Sequence, residues 1–566
     1  MRRWRSFSSL MVLGLVLAAC SSPGTSAGPS GSAGASAEGS HAPFVATSYP
    51  EAGPADCAYG GEFSQIKAVD ELTVEFDLCN PDPAFLAKTA LASNEIQDSD
   101  YLAANMANHL ILARPNGTGP YKFKEYVRGD HITLSRNDAY WGEKAIAKEL
   151  IFQWSSESAA RLLALQAGTV DGIDNPGPDD FNTISGDSNL QLITRAPLNV
   201  MYVGMTNTFA PFDNIKVRQA LAEGIDRQRI VDNFYPEGST VADYFTPCEV
   251  TFGCEGDPWY KYDPAAAKQL LAFAGLPNGF STHIYYRDVV RGYLPDPGVV
   301  ATELQRQLKE NLNITADIQV QESGTFLDNS SAGLLDGLYL LGWGADYPDP
   351  TNFLDYHFNN SSNKQFGTAD PATTAALTTA AQTLDDTARA AAYVEANNAI
   401  KAFVPMVPIA HGASATAWKA DVVGAHSSPL TNEALWTMDP GGRDQLVFMQ
   451  NAYPISLYCG DETDGETIRV CFQIGETLYT WKTGTAEVTP GVAESCTAND
   501  LATVWTCKLH AGVKFHDGSS LDAGDVVTTF AVQWDLDHPL HIGRTGDFEY
   551  WGGLFGTKLN VPPPAS

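Results

Sequence analysis

Positive charge is scarce in this chain: 35 Lys and Arg stand against 67 Asp and Glu, a formal net charge of -32. A surface so acidic repels nucleic acid and anionic lipid and offers no basic stripe for tracking phosphates, which excludes nucleic-acid binding. Catalytic signatures are also missing. No Gly-x-Ser-x-Gly stands between a strand and a helix, and there is no His-Glu-x-x-His and no Gly-rich loop ending in Gly-Lys-Ser or Gly-Lys-Thr. No nucleophile, hydrolytic metal or nucleotide site is thereby nominated, and no cofactor is implied. A secreted hydrolase acting on peptides or glycans stays as the alternative class, because scattered carboxylates pair only in three dimensions. No C-x-x-C spacing occurs, which argues against structural zinc. His538 and His541, beside Asp535 and Asp537, have helical metal-ligand spacing, but Pro539 between them favours a turn. Beyond the first 20 residues no apolar run is long enough to span a bilayer.

What is present begins with an export signal. Three arginines within the first five residues lead into an apolar stretch over residues 10–19, about half the length of a membrane span. Residues 21–39 are almost wholly Ser, Gly, Ala and Pro, the composition of a flexible tether, which is taken to run over residues 21–45. The remaining chain, from a sequence 44% hydrophobic and 10% aromatic, suffices for two or more lobes with proper cores. After Cys20, eight cysteines remain: Cys57, Cys79, Cys248, Cys254, Cys459, Cys471, Cys496 and Cys507. An even number suits an oxidising compartment, and their grouping along the chain makes nearest-neighbour pairing the simplest of the possible connectivities.

Helix and strand signals alternate through the middle of the chain, as in α/β lobes. Val217, Ala220, Leu221 and Ile225 recur at helical spacing over residues 214–231, with Asp213 or Asn214 available as cap. Asp263-Pro264 opens another helix that Gly275 ends. Val300, Leu304, Leu308 and Leu312 form one stripe, and the alternating Ile314, Ala316, Ile318 and Val320 follow it: a helix feeding a strand. Residues 338–341 are a continuous apolar run between glycines, which suits a strand buried on both faces.

The loop after that run, Gly342-Trp343-Gly344-Ala345-Asp346-Tyr347-Pro348-Asp349-Pro350, resembles the dipeptide and oligopeptide-binding proteins that serve ABC importers, the solute-binding proteins of family 5. Other stretches resemble the same family: Gly117-Thr118-Gly119-Pro120-Tyr121, Asn137-Asp138-Ala139-Tyr140-Trp141, Val217-Arg218-Gln219-Ala220-Leu221, Pro490-Gly491-Val492-Ala493-Glu494 and Gly512-Val513-Lys514-Phe515-His516-Asp517-Gly518. His510 departs from it, standing where Arg or Lys is usual. The end at Leu17-Ala18-Ala19-Cys20 is similar to a lipoprotein box, with Cys20 as the acylated residue. The resemblance implies an α/β, two-lobed periplasmic-binding-protein-like fold with a small accessory domain, acting as a monomer that captures a small-molecule or peptide ligand for ABC transporter permease subunits. Attachment to the outer face of the cell membrane would be by the lipid anchor alone.

The order of these motifs is rotated relative to the family: the segment holding residues 513–518, normally early, comes last here. The chain therefore reads as a circular permutant. Its parts are an accessory portion and entry to lobe I (46–112), lobe I (113–203), lobe II (204–408), a return to lobe I (409–426), a joining linker (427–443), the first strands of lobe I (444–512) and a second accessory portion (513–566). The hinge crossings are placed near residues 199–207 and 404–410.

By resemblance, Asp346 meets a ligand ammonium; its plainer role is a loop cap. Trp343 and Tyr347 either pack on ligand or belong to the core. Arg287 and Arg291 are candidates for a ligand carboxylate, with salt bridges to Asp288 or Asp296 as the alternative. Tyr458 and Glu462 lie on a first-strand loop placed at the hinge side of the cleft. Its four acids, Asp461, Glu462, Asp464 and Glu466, otherwise read as solvated charge.

Overall fold

The computed structural model describes residues 44–359 and 363–562; the export signal, Cys20 and most of the tether lie outside them. Two α/β layers, one five-stranded antiparallel sheet and a small two-stranded one, Tyr479–Trp481 with Val488–Pro490, make up the sheets of the described residues. The first layer, lobe I, is a seven-stranded sheet in the order Tyr121–Val127, His131–Arg136, Glu149–Trp154, Gln445–Gln450, Gly172–Asp174, Ser414–Lys419, Leu190–Arg195. Its three central strands run parallel and its edges antiparallel. Phe152, Phe448, Trp418, Val470 and Ile474 fill its core. Trp418 lies so close to Gly172 that a Cβ there would sit 2.2 Å from the indole ring, so only glycine fits.

Lobe II is a six-stranded sheet in the order Thr240–Val241, Met406–His411, Asn199–Met205, Leu338–Gly344, Ser281–Arg287, Thr315–Gln321. The apolar stripe forms the helix Pro297–Leu312, capped by Asp296, and feeds the strand Thr315–Gln321, parallel to Ser281–Arg287. The helical stretch over 214–231 is two helices, Ile215–Gly224 and Arg227–Phe234. Periodicity continues through the break. However, Ile225 is extended and Asp226 turns its side chain onto the Arg229 N–H, restarting the helix.

The third sheet is antiparallel throughout, in the order Thr47–Tyr49, Phe63–Asp70, Thr73–Leu78, Val504–Leu509, Ala493–Ala498. Val74 faces Cys507 and Phe76 faces Trp505 across its centre. The helix Ala523–Trp534, with a capping box of Asp522 and Asp525, packs on this sheet. There Phe63 meets the rings of Phe530, Trp534, Trp551 and Phe555 at 4.9 to 6.0 Å. Strands 493–509 thus join this sheet rather than lobe I, where the sequence reading placed residues 444–512. Alternation gives a strand its two faces but does not say which sheet it enters.

The crossings between lobes are residues 196–198 and 412–413, so 199–205 and 406–411 are strands of lobe II rather than the hinge itself. Asn199 ties the crossings together, donating to the Gly412 carbonyl at 2.7 Å and accepting its N–H at 2.8 Å. Residues 427–443, read as a linker from their turn-forming composition, are built into lobe I: Ser428, Leu430, Glu433, Leu435 and Met438 are all buried. Four disulfides join nearest neighbours, Cys57–Cys79, Cys248–Cys254, Cys459–Cys471 and Cys496–Cys507.

Candidate ligand-binding site

In lobe II the strand Leu338–Gly344 runs into the loop carrying Asp346, and the helix Pro350–Phe358 follows, capped by Asp349. The cap on this loop is therefore Asp349, which leaves Asp346 free for another role. Asn352, in the first turn of that helix, fixes it: its amide donates to Asp346 Oδ2 at 2.9 Å and its carbonyl oxygen accepts the Asp346 N–H at 2.9 Å. Tyr550, from the helix Glu549–Phe555, donates to Asp346 Oδ1 at 2.7 Å. Burial pushes the carboxyl up to about 6, against the downward pull of these two hydrogen bonds. Asp346 lines a cavity of about 20 Å³ together with Leu91 and Ser93 from the accessory region, Leu430, Asn432 and Ile468 from lobe I, and Trp481 from the two-stranded sheet of Tyr479–Trp481 and Val488–Pro490. Three parts of the fold converge there on one carboxylate.

The other residues singled out by sequence divide. Trp343 stacks on Tyr356 with ring centroids 4.2 Å apart and donates to Asn352 at 3.2 Å, so it supports the Asp346 loop from behind. Tyr347 is fully buried and its hydroxyl pairs with Thr351 at 3.0 Å, which assigns it to packing. Arg291 reaches across to lobe I, pairing with Glu466 at 3.2 Å and lying 3.7 Å from Asp464. Arg287 contacts only hydroxyls, Ser323 at 3.0 Å and Tyr293 at 3.4 Å, and among the described residues no carboxylate lies within ion-pair distance of it. Neither arginine takes Asp288 or Asp296.

The acids of the first-strand loop are not solvated charge. Asp461 accepts backbone N–H groups from Arg544, Thr545, Gly546 and Phe548 at 2.6 to 2.9 Å, and Glu462 holds the Arg544 guanidinium with both oxygens at 2.6 and 2.8 Å. Asp464 caps the helix Gly465–Ile474. Tyr458 is buried, edge-on to Phe548. Tyr458 and Glu462 thus fasten the segment that carries Tyr550 rather than facing the cavity.

Sequence reasoning missed Tyr550, Ser93, Leu430 and Trp481, none of which carries a local signal of its position. It also missed a ring of buried charge in lobe I. Arg195 bonds Asp174 at 2.7 Å and Glu433 at 2.6 Å, while Arg469 bonds Asp174 at 2.9 Å and Glu433 at 3.0 Å. A larger, open hollow of about 1040 Å³ sits at the opposite, N-terminal ends of the parallel strands of lobe I. Its cations Lys124, Lys148, Lys419 and Arg443 are paired with Glu149, Asp444 and Asp171, so it presents compensated charge rather than an anion site.

Two α/β lobes joined by paired crossings, with a carboxylate-lined cavity where they meet, define a solute-binding protein. The family model of Bacterial extracellular solute-binding proteins, family 5 Middle, matches residues 29–365 and 487–547, and the chain belongs to this family. The Di/tripeptide-binding protein 1 of Pseudomonas aeruginosa is 30% identical over 363 residues, 63% of this chain and 67% of its own. Heme-binding protein A of Haemophilus influenzae is 28% identical over 414 residues, 72% and 73% of the two chains. Among solved structures, the dipeptide binding protein from Pseudoalteromonas sp. SM9913 in complex with Met-Leu superposes with a TM-score of 0.62 at 28% identity, over 67% of this chain and 75% of that one. No helix among the described residues is long and apolar enough to cross a membrane.

Proposed function

We propose that this protein captures short peptides between its lobes on the outer face of the cell membrane, tethered through an acylated Cys20, and delivers them as a monomer to the permease of an ABC importer. The observation that carries the reading is Asp346: a carboxylate held by Asn352 and Tyr550 at a cavity shared by three parts of the fold suits a peptide ammonium. Arg287 is the better-placed partner for a ligand carboxylate, because Arg291 already has Glu466. The relatives that bind di- and tripeptides support the ligand class.

The rotated order of family segments is part of the proposal. It is supported by the family match resuming at 487–547 and by the pairing of Thr73–Leu78 with Val504–Leu509. Asp346→Asn should weaken peptide binding by about 2 to 5 kcal/mol with the fold intact. Calorimetry with ligands identified by mass spectrometry of protein purified from its host tests this, and unchanged affinity would remove the assignment.

A further inference from the structure

Asp461 ends the turn Cys459–Asp461 of lobe I and is 4% exposed. Besides the four backbone N–H groups of residues 544, 545, 546 and 548, its carboxylate accepts the Thr545 hydroxyl, at 2.9 and 3.0 Å from its two oxygens. Five donors from one short segment thus converge on a side chain 83 to 87 positions away.

The segment holds this shape against its own preference. Gly543, Gly546 and Phe548 are left-handed, with φ of 55°, 79° and 39°. Phenylalanine is costly in that region and stays there only where its surroundings impose it. At Gly543 a Cβ would lie 2.3 Å from Asp461 Oδ2, so the backbone comes bare against the carboxylate. The helix Glu549–Phe555 that follows has no side-chain cap from Phe548, whose N–H goes to Asp461. This helix meets lobe II twice: Glu549 accepts from the Tyr356 hydroxyl at 2.8 Å, and Tyr550 donates to Asp346 at 2.7 Å.

We infer that Asp461 is a positioning residue for ligand capture: it shapes residues 543–548 so that Glu549 and Tyr550 stand ready beside lobe I, and lobe II closes onto a wall already in place. This rests on the peptide-capture reading. Without the carboxylate, four convergent N–H groups lose their acceptor and Phe548 loses what holds it left-handed, so the start of the helix must be ordered anew whenever the lobes close. Affinity then falls with the fraction of molecules whose segment is in place. Glu462 grips the Arg544 side chain and anchors the segment, whereas Asp461 sets its backbone.

The test compares wild type, Asp461→Ala and Gly543→Ala as full chains, with the best-retained member of a mixed dipeptide pool, found by native mass spectrometry, as the probe. Affinity is read by titration well below the unfolding temperature, and backbone order by hydrogen exchange at residues 544–548. Asp461→Ala should bind about tenfold or more weakly, since two side chains must be ordered on binding, and should lose exchange protection in the segment. Formate, which supplies a carboxylate beside the alanine methyl, should restore both. Gly543→Ala keeps the carboxylate but pushes it from the segment, so it should be weakened without responding to formate. Should Asp461→Ala not fold, Asp461→Asn takes its place, with a smaller loss expected because one acceptor oxygen remains. A lower unfolding temperature with unaltered affinity marks a purely structural role and overturns the inference. So does formate that restores exchange protection without regained affinity, or wild-type affinity in Asp461→Asn. Failure of wild type to retain any dipeptide overturns peptide capture, and the positioning role with it.

Discussion

Replacing Arg469 by Met tests how lobe I is held together. Arg469, Arg195, Asp174 and Glu433 have side chains between 0 and 2% exposed, and each charge touches both of the opposite sign. Burial pushes Asp174 up, but the guanidiniums of Arg195 and Arg469 outweigh it and hold the carboxyl at about 2; Glu433 is lowered for the same reason. Met fills similar volume but leaves two carboxylates sharing one guanidinium, an uncompensated buried charge that costs about 3 to 5 kcal/mol. With an unfolding entropy of about 2.1 cal/mol/K per residue over roughly 500 residues, or about 1 kcal/mol per degree, Tm should fall by about 3 to 5 °C. Both carboxyls sit below their unfolded values when folded, so their stabilisation is complete above pH about 5 and lost as the pH falls through their folded values, about 2 for Asp174. The deficit of the variant should therefore be largest near pH 7 and shrink in acid. Adding Glu433→Gln removes the uncompensated charge, so the double variant should be less unstable than the two singles summed, by about 0.5 to 3 kcal/mol. Calorimetry across pH measures all of this. A Tm within 1 °C of wild type, or strict additivity, would refute the reasoning.

Three further outcomes follow from the site and its surroundings. Because Asp346 titrates at about 6 and grips a cation only when ionised, peptide affinity should be greatest between about pH 6 and 8, fall about tenfold per unit below pH 6, and fall again above about pH 8 as the peptide α-amine loses its proton, as titration calorimetry would show. Burial, with Glu476 nearby, pushes Glu95 up to about 8, above its unfolded value, so the neutral form stabilises the fold in acid and that contribution is lost as pH rises through 8. Glu95→Gln should gain on wild type by up to about 1 kcal/mol per unit between pH 5 and 8, and a pH-independent difference in Tm would contradict this. Glu466→Gln removes the main charge that draws Arg291 across from lobe II, so stopped-flow dissociation of bound peptide should quicken about three- to tenfold, and an unaltered rate would mean that the pair does not help hold the lobes together.

Local chemistry was readable where it is local. The stripe Val300, Leu304, Leu308 and Leu312, the Asp263-Pro264 helix start and the run 338–341 became the elements their local signals describe, since caps are local and burial of one face or both leaves a periodic mark. Contacts between distant residues leave none. Tyr550 meets Asp346 over 204 positions, and Glu433 closes the charge ring from a stretch whose Ser, Pro, Asn and Gly look like linker. In the same way, the acids Asp461 and Glu462 look like surface charge until Arg544 and the turn after it are brought against them.

The pairing of Thr73–Leu78 with Val504–Leu509 sets a timetable for biosynthesis. At about 5 to 20 residues per second, the hairpin of residues 63–78 leaves the ribosome roughly 20 to 90 seconds before its remaining neighbour exists. Until then Val74 and Phe76 lack their partners and one strand edge stays open, which makes this hairpin the stretch where a holding chaperone would find purchase.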